Sequence, residues 1–359
     1  MESKPFKSPL HEMTETMATD FWNDSCAIDE LTYALEYGAA GATTNPVIVG
    51  NVLKQDKARY DERIREMVQT MPEATEDEIA WKLNEEMAQT GAAMLLPIFE
   101  AHQGRSGRIS IQTNTKYYRS WQKLLDQALH FSTLAPNVHV KMPVTKAGVK
   151  AIEEATYHGI SINATVSFCV PQALAVGAAI ERGLKRREEE GKDTAAMYPV
   201  CTIMVGRIDD WIKDVVKRDG IEIDPEYLEW PGVAIMKRAD RIYHERGYRT
   251  RLLSAAYRND YQWTELMGGD IIMTIPHKWI KKFNESSTPV APRMEIPVDP
   301  VIIDTLAAKV PEFVKAYEPD GMAVEEFDGF GAVNKTLKQF LEGYDTLVAM
   351  IREYMVVIK

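Results

Sequence analysis

The 359-residue chain has only three cysteines (Cys26, Cys169, Cys201), too few and too scattered for a disulfide framework. It has no run approaching the roughly 20 apolar residues of a membrane span. Its first sixteen residues mix Lys, Pro, His and Glu without an apolar stretch, which argues against a signal peptide. Without an export signal, a reducing cytoplasm and three free thiols are expected. Basic residues are also in deficit: the formal net charge is −11, spread along the chain, which argues against a nucleic-acid partner. A few local arginines can still hold one anionic metabolite against that background. The seven histidines show no His-x-x-x-His spacing and the cysteines no Cys-x-x-Cys, so neither a metal nor another cofactor is expected. No Pro- or Gly/Ser-rich linker divides the chain, and residues 1–359 read as one domain.

What is present is a repeating pattern. Short apolar segments occur at 17–20, 41–45, 108–112, 138–141, 160–165, 200–205, 250–255 and 270–274, most of them continuous rather than alternating. That is the signature of parallel strands buried on both faces. Helical stretches lie between them. Thr75-Glu76-Asp77-Glu78 has the form of a capping box, His158-Gly159 of a helix stop, and Pro171 suits a first helical turn. Residues 183–193 form a charged run suited to a solvated helix end and loop. Residues 336–351 are amphipathic, one of several helices after Pro276, and Gly329-Phe330-Gly331 reads as a turn. Eight strands alternating with helices predict an α/β protein, a (β/α)8 TIM barrel with additional C-terminal helices; an open doubly wound sheet is the alternative.

In such a barrel, active-site groups come from the C-terminal ends of the strands and the loops after them. That rule selects Asp20, Asn45, Gln112, Lys141, Asn163, Thr165, Thr202, Arg207, Ser254 and Arg258. Lys141 is the sharpest member, ending an apolar strand where a surface lysine would be out of place. It could be an ion-pair partner or a desolvated amine, whose lowered pKa would supply the free base needed to attack a carbonyl. Asp20 could cap a helix or act as general acid/base. Arg207 could pair with Asp209 or Asp210, or hold an anion. His139 is expected to be a packed or hydrogen-bonded residue.

Gly41-Ala42-Thr43-Thr44-Asn45-Pro46 resembles the Gly-Ala-Thr-Thr-Asn-Pro signature of the transaldolase family. Val140-Lys141-Met142-Pro143 followed by Ile162-Asn163-Ala164-Thr165 resembles its Schiff-base lysine strand and the next strand. Val205-Gly206-Arg207-Ile208, Pro231-Gly232-Val233, Tyr257-Arg258-Asn259 and Asp320-Gly321-Met322 continue the likeness in order. It spans about residues 17 to 345 and is nearer the full-length transaldolases than the shorter fructose-6-phosphate aldolase branch. The resemblance implies transfer of a dihydroxyacetone unit between sugar phosphates through Lys141, with a sugar phosphate as partner and no membrane; a homo-oligomer stays open. It implies Asp20 as acid/base, Thr165 and Gln112 as holders of the reaction water, and Asn45, Asn163 and Thr202 as ligands of the three-carbon fragment. Arg207 and Arg258 would hold the distal phosphate, with Ser254 a weaker candidate because the family's serine aligns with Ala256.

Three departures bear on substrate. Gln112 stands where transaldolases carry glutamate, and cannot accept a proton at neutral pH. Met204 replaces an aromatic residue, and Phe21-Trp22 replaces a small-residue continuation of the first strand. An aldolase that releases dihydroxyacetone, or an enzyme of an unusual ketose, is the alternative reading; a barrel that binds sugar phosphates without catalysis is a further one.

Overall fold

Eight buried segments of three to six residues form the strands of the computed structural model, which describes residues 6–357. They are β1 Asp20–Asn23, β2 Gly41–Thr43, β3 Arg108–Gln112, β4 Val138–Pro143, β5 Ile162–Thr165, β6 Val200–Ile203, β7 Arg251–Ser254 and β8 Ile272–Ile275. Each pairs in parallel with its sequence neighbour, and β1 closes on β8 with Asp20 opposite Ile272 and Asn23 opposite Ile275. The result is a closed (β/α)8 barrel with helices between strands and further helices at the C-terminal end. An open sheet is excluded by the β1–β8 ladder.

Why the strands read as continuous apolar runs is visible in how they divide their side chains. Phe21, Ala42, Ile109, Ile111, Val140, Met142, Ala164, Cys201, Ile203, Leu252 and Met273 belong to the large core shared with the helices. Trp22, Val200, Leu253, Ala255 and Ile272 form a separate cluster inside the barrel. The indole of Trp22 lies tilted against the His139 ring, centroids 5.7 Å apart, and fills the lumen. A Cβ on Gly41 would come within 2.5 Å of that indole, so β2 needs glycine where it passes Trp22. Both Trp22 and His139 are packing residues.

The helices begin and end where their sequences dictate. Thr75 and Glu78 form a capping box opening Glu76–Ala101, and Lys146–Tyr157 ends before Gly159 in the left-handed region at φ +88°. The charged run falls at the end of Val170–Glu189 and the loop after it. The C-terminal helix Gly331–Met355 joins Pro46–Gln55, Lys57–Thr70 and Glu76–Ala101 in a second core, where Val49, Ile64, Leu83 and Leu347 are buried together. It also meets the helix Val205–Asp219 near its other end. It touches Arg207 after β6, Val47 after β2 and Lys116 after β3, and so crosses the barrel at the ends where the strands finish. No helix is long and apolar enough to cross a membrane among the described residues.

Every strand but β3 differs from the sequence expectation in one or both limits. β1 begins three residues later than predicted, and β5 and β8 two later, because 17–19, 160–161 and 270–271 are loop. Met17 caps the helix Pro9–Thr16, and the Thr19 hydroxyl donates to the Gly269 carbonyl while accepting from the Gly268 N–H. The ladder starts only at the Asp20 N–H, which donates to Ile271.

Candidate active site

Lys141 lies within β4 rather than at its end, since the strand continues to Pro143; Gln112 on β3 and Asn163 on β5 are its register partners. It is 3% exposed. Burial disfavours its ammonium and lowers the pKa from 10.5; the negative field of Asp24 opposes this, and Arg207 reinforces it. Among the described residues Lys141 has no ion-pair partner within 4.0 Å. Asp24 acts on it through charge alone, so the ion-pair alternative has no geometric support.

The carboxylate facing Lys141 is Asp24, not Asp20. Asp20 opens β1, at the opposite end of the barrel, and accepts a 2.7 Å hydrogen bond from Arg251, whose other nitrogen reaches Asp270 at 2.8 Å. It is a rim ion pair. The three-residue shift of β1 is the cause: Asp20, Trp22 and Asp24 alternate onto one face, so the chain leaving the strand carries Asp24 to the opposite end of the barrel from Asp20. Asp24 accepts a 2.7 Å hydrogen bond from Thr43 Oγ1, which lies 2.6 Å from Thr274 Oγ1. With Thr43 donating to Asp24, the Thr274 hydroxyl donates to Thr43, an ordered chain from β8 through β2 to β1. Burial raises the Asp24 pKa above 3.8, partly offset by Lys141, the Thr43 bond and Arg207. Asp24, Thr43 and Thr274 were missed from sequence; the apolar pair Phe21-Trp22 was the signal that the first strand lay further on.

The remaining polar residues expected at the site are held with different degrees of freedom. Gln112 donates to Thr115 Oγ1 at 3.3 Å while its carbonyl oxygen is buried without a partner, as is the hydroxyl of Thr165. Buried polar atoms of this kind each call for a hydrogen-bond partner. Asn163 is held from both sides, donating to Ser110 at 2.9 Å and accepting from Thr202 at 2.7 Å. Thr202 is thereby an orienting partner of Asn163. Asn45 uses its carbonyl oxygen to cap the helix Pro46–Gln55 through the Ile48 N–H, and its amide NH2 has no partner among the described residues.

Arg207 and Arg258 come together at the mouth, near enough that Arg258 lowers the Arg207 pKa. Burial is the larger cause of that lowering. Neither Asp209 nor Asp210 pairs with Arg207. Asp210 takes Arg258 at 2.9 Å, and the fully buried Asp209 accepts from the Gly232 N–H at 2.8 Å and from Gln262 at 2.5 Å. Gln262 in turn accepts from the Arg258 N–H, fixing the loop that carries the arginine. Ser254 is fully buried and bonded to the Tyr257 hydroxyl at 2.7 Å, which removes it from the phosphate-binding set. Gly206 allows the two arginine segments to meet: a Cβ there would lie 1.8 Å from the Ala256 carbonyl oxygen. Gly206→Ala is therefore expected to cost about 1–3 kcal/mol by overpacking, seen as a lower denaturant midpoint; an unmoved midpoint would mean that the loop yields freely.

A family model described as Transaldolase/Fructose-6-phosphate aldolase matches residues 21–324. The chain belongs to the transaldolase/fructose-6-phosphate aldolase family. A transaldolase of Thiobacillus denitrificans is 28% identical over 341 residues, which cover 88% of this chain and 90% of that one. Transaldolase 1 of Streptomyces avermitilis is 30% identical over 205 residues, about half of either chain at 56% and 53%. Among solved structures, a malate synthase of Haloferax volcanii shares 12% identity with a TM-score of 0.27, over 68% of this chain and 82% of that one, a likeness too low to bear on fold or activity. In this chain the site holds a buried lysine, a nearby carboxylate and two arginines, with glutamine at 112 and a buried methionine at 204. No group of three or more His, Cys, Asp or Glu side chains is placed to hold a metal among the described residues.

Proposed function

We propose that the chain is a transaldolase, moving a dihydroxyacetone unit from a ketose phosphate to an aldose phosphate through a Schiff base on Lys141. The observation that carries this reading is a fully buried lysine with a depressed pKa, no ion-pair partner among the described residues and a carboxylate held nearby. The Lys141 amine adds to the C2 carbonyl of the ketose, and the carbinolamine takes up a proton and loses water to give an iminium. Gln112 and Thr165 hold that water; neither takes its proton as a base. Asp24 accepts the proton of the C4 hydroxyl as the C3–C4 bond breaks, the electron pair passing into the iminium to leave an enamine. The aldose phosphate departs as an aldehyde. The enamine then attacks the acceptor aldehyde, whose oxygen takes the proton from Asp24, and hydrolysis frees Lys141.

Arg207 and Arg258 suit a phosphate because guanidinium donors are planar and permanently charged. On this reading Asn163 and Asn45 bind hydroxyls of the three-carbon fragment. Borohydride reduction in the presence of fructose 6-phosphate tests the reading. An intact-mass increase mapped to Lys141 is expected, and a protein that stays unmodified at saturating sugar overturns it.

Gln112 favours a second reading, an aldolase that releases dihydroxyacetone. An amide in place of a carboxylate changes how the water beside the enamine is handled, and with it the competition between protonation and the acceptor. Turnover of fructose 6-phosphate with and without erythrose 4-phosphate separates the two: dependence on the acceptor supports transfer, and independence supports release.

A further inference from the structure

The two arginines at the mouth are held in opposite ways. Arg258 is used on both sides, its Nε and Nη2 by Asp210 and its Nη1 by the carbonyls of Ala256 and Tyr257. Arg207 is used on one side only. Its Nη1 donates to Thr336 Oγ1 at 3.4 Å and to Gln339 Oε1, while Nε and Nη2 have no partner among the described residues. That free pair is the edge with which a guanidinium grips an oxyanion through two parallel hydrogen bonds. The guanidinium carbon also lies 5.4 Å from the centre of the Phe340 ring.

All three contacts come from the helix Gly331–Met355, which supplies no strand of the barrel. Thr336 and Phe340 are buried at 2% and 1% exposure, anchored by the helix's packing, while Gln339 stands at the surface over the mouth. An arginine side chain loses on the order of 2 kcal/mol of rotamer entropy when fixed. Here the C-terminal helix fixes it in advance. The acceptor facing it is also neutral. A carboxylate at 339 would orient Arg207 equally well but would cancel its charge, whereas the glutamine amide leaves the charge for a ligand.

We propose that Thr336, Gln339 and Phe340 are positioning residues that aim the free edge of Arg207 at the phosphate of the sugar. On this reading the C-terminal helix sets the preference for phosphorylated over neutral substrates. The inference rests on Arg207 being the phosphate ligand. It adds a reciprocal consequence: an anion that binds the aimed Arg207 also holds the helix across the mouth, since coupling between two binding events acts in both directions.

Gln339→Leu and Gln339→Glu test it together. Each is expected to raise the KM for fructose 6-phosphate about fivefold or more, the equivalent of one lost hydrogen bond, with kcat kept within about twofold, and Gln339→Glu more than Gln339→Leu. Borohydride trapping with dihydroxyacetone, which carries no phosphate, reports the same variants at the neutral end of the site. Its concentration dependence should shift by less than the phosphorylated donor's. Thr336→Ser should retain the wild-type KM and Thr336→Val should not. The proposal fails if both Gln339 variants keep the wild-type KM, or if phosphorylated and neutral donors weaken alike, as general damage to the fold would make them. The melting-temperature rise with inorganic phosphate keeps the test separate from the Schiff-base reading. It should shrink in both Gln339 variants even if wild-type Lys141 cannot be trapped, and an undiminished rise overturns the positioning role.

Discussion

Asp24→Asn is expected to lower turnover of a ketose phosphate by about 10²- to 10⁴-fold, the range that a positioned acid/base supplies, while Asp20→Asn leaves turnover within about twofold. The two substitutions are chemically identical and four residues apart, one opening β1 and one just past its end, so the contrast isolates position. The amide oxygen introduced by Asp24→Asn could still accept a hydrogen bond from Thr43, as Asp24 does now at 2.7 Å, and the site should stay assembled. What the amide could not do is carry the proton between the C4 hydroxyl and the acceptor. Asp20→Asn would weaken only a partly exposed pair with Arg251, a loss of about 1 kcal/mol or less. Steady-state kinetics on both variants, with melting temperatures as a control, decide the matter; equal losses of activity would remove the assignment of Asp24. One secondary effect has a definite sign. Asp24 raises the Lys141 pKa, so its removal should let that pKa fall further. Schiff-base trapping with dihydroxyacetone, which needs no C3–C4 cleavage, should therefore reach its plateau at lower pH in Asp24→Asn than in the wild type.

Lys141→Met should abolish both trapping and turnover, because no other amine is presented inside the barrel among the described residues. Methionine is close in length and apolar, so the loss is one of chemistry and not of volume. The pH dependence of stability should change with it. The folded pKa of Lys141 lies below the unfolded value of 10.5. Its favourable contribution is thus fully present only above 10.5 and is lost as pH falls through the folded pKa, where burying the ammonium weighs against folding. Lys141→Met removes that penalty. Compared with the wild type, the variant should gain stability on the acid side of the folded pKa and show a flatter curve from there up to 10.5. Denaturant midpoints across that window measure it, and parallel curves for the two proteins would mean that Lys141 is not desolvated as described. Asp24 slopes the opposite way in its own window, losing its contribution as pH rises from 3.8 through its raised folded pKa, so the two effects are separable by pH.

Much of the site was legible because it is local. Residues that end or line a strand announce themselves by being polar after an apolar run; Gln112 and Thr165 do end β3 and β5, while Lys141 and Asn163 lie inside β4 and β5. Asp20 was misplaced because three residues, Met17 to Thr19, look like a strand but are spent on a helix cap and on a loop tied to Gly268 and Gly269. Nothing in a single sequence reports those long-range bonds. Ser254 was misread for a related reason: it sits at the end of β7, but its hydroxyl is taken by Tyr257. Arg207 was given two local acids as partners, and both turn out to serve elsewhere, one with Arg258 and one with Gly232 and Gln262.

The alternation of short buried runs with capped helices, and the order of the motifs upon them, were properties of the sequence alone. So was the presence of a lysine following a short apolar run. These follow from periodicity and composition, which act over a few residues at a time. Tertiary structure alone decided which carboxylate faces that lysine, since a register set by the closure of β1 on β8 puts Asp24 inside and Asp20 at the far rim. It alone brought the C-terminal helix, more than a hundred residues away in sequence, onto Arg207. Charge and hydrogen bonding act over a few ångströms in space, and only the closed barrel determines which residues those few ångströms contain.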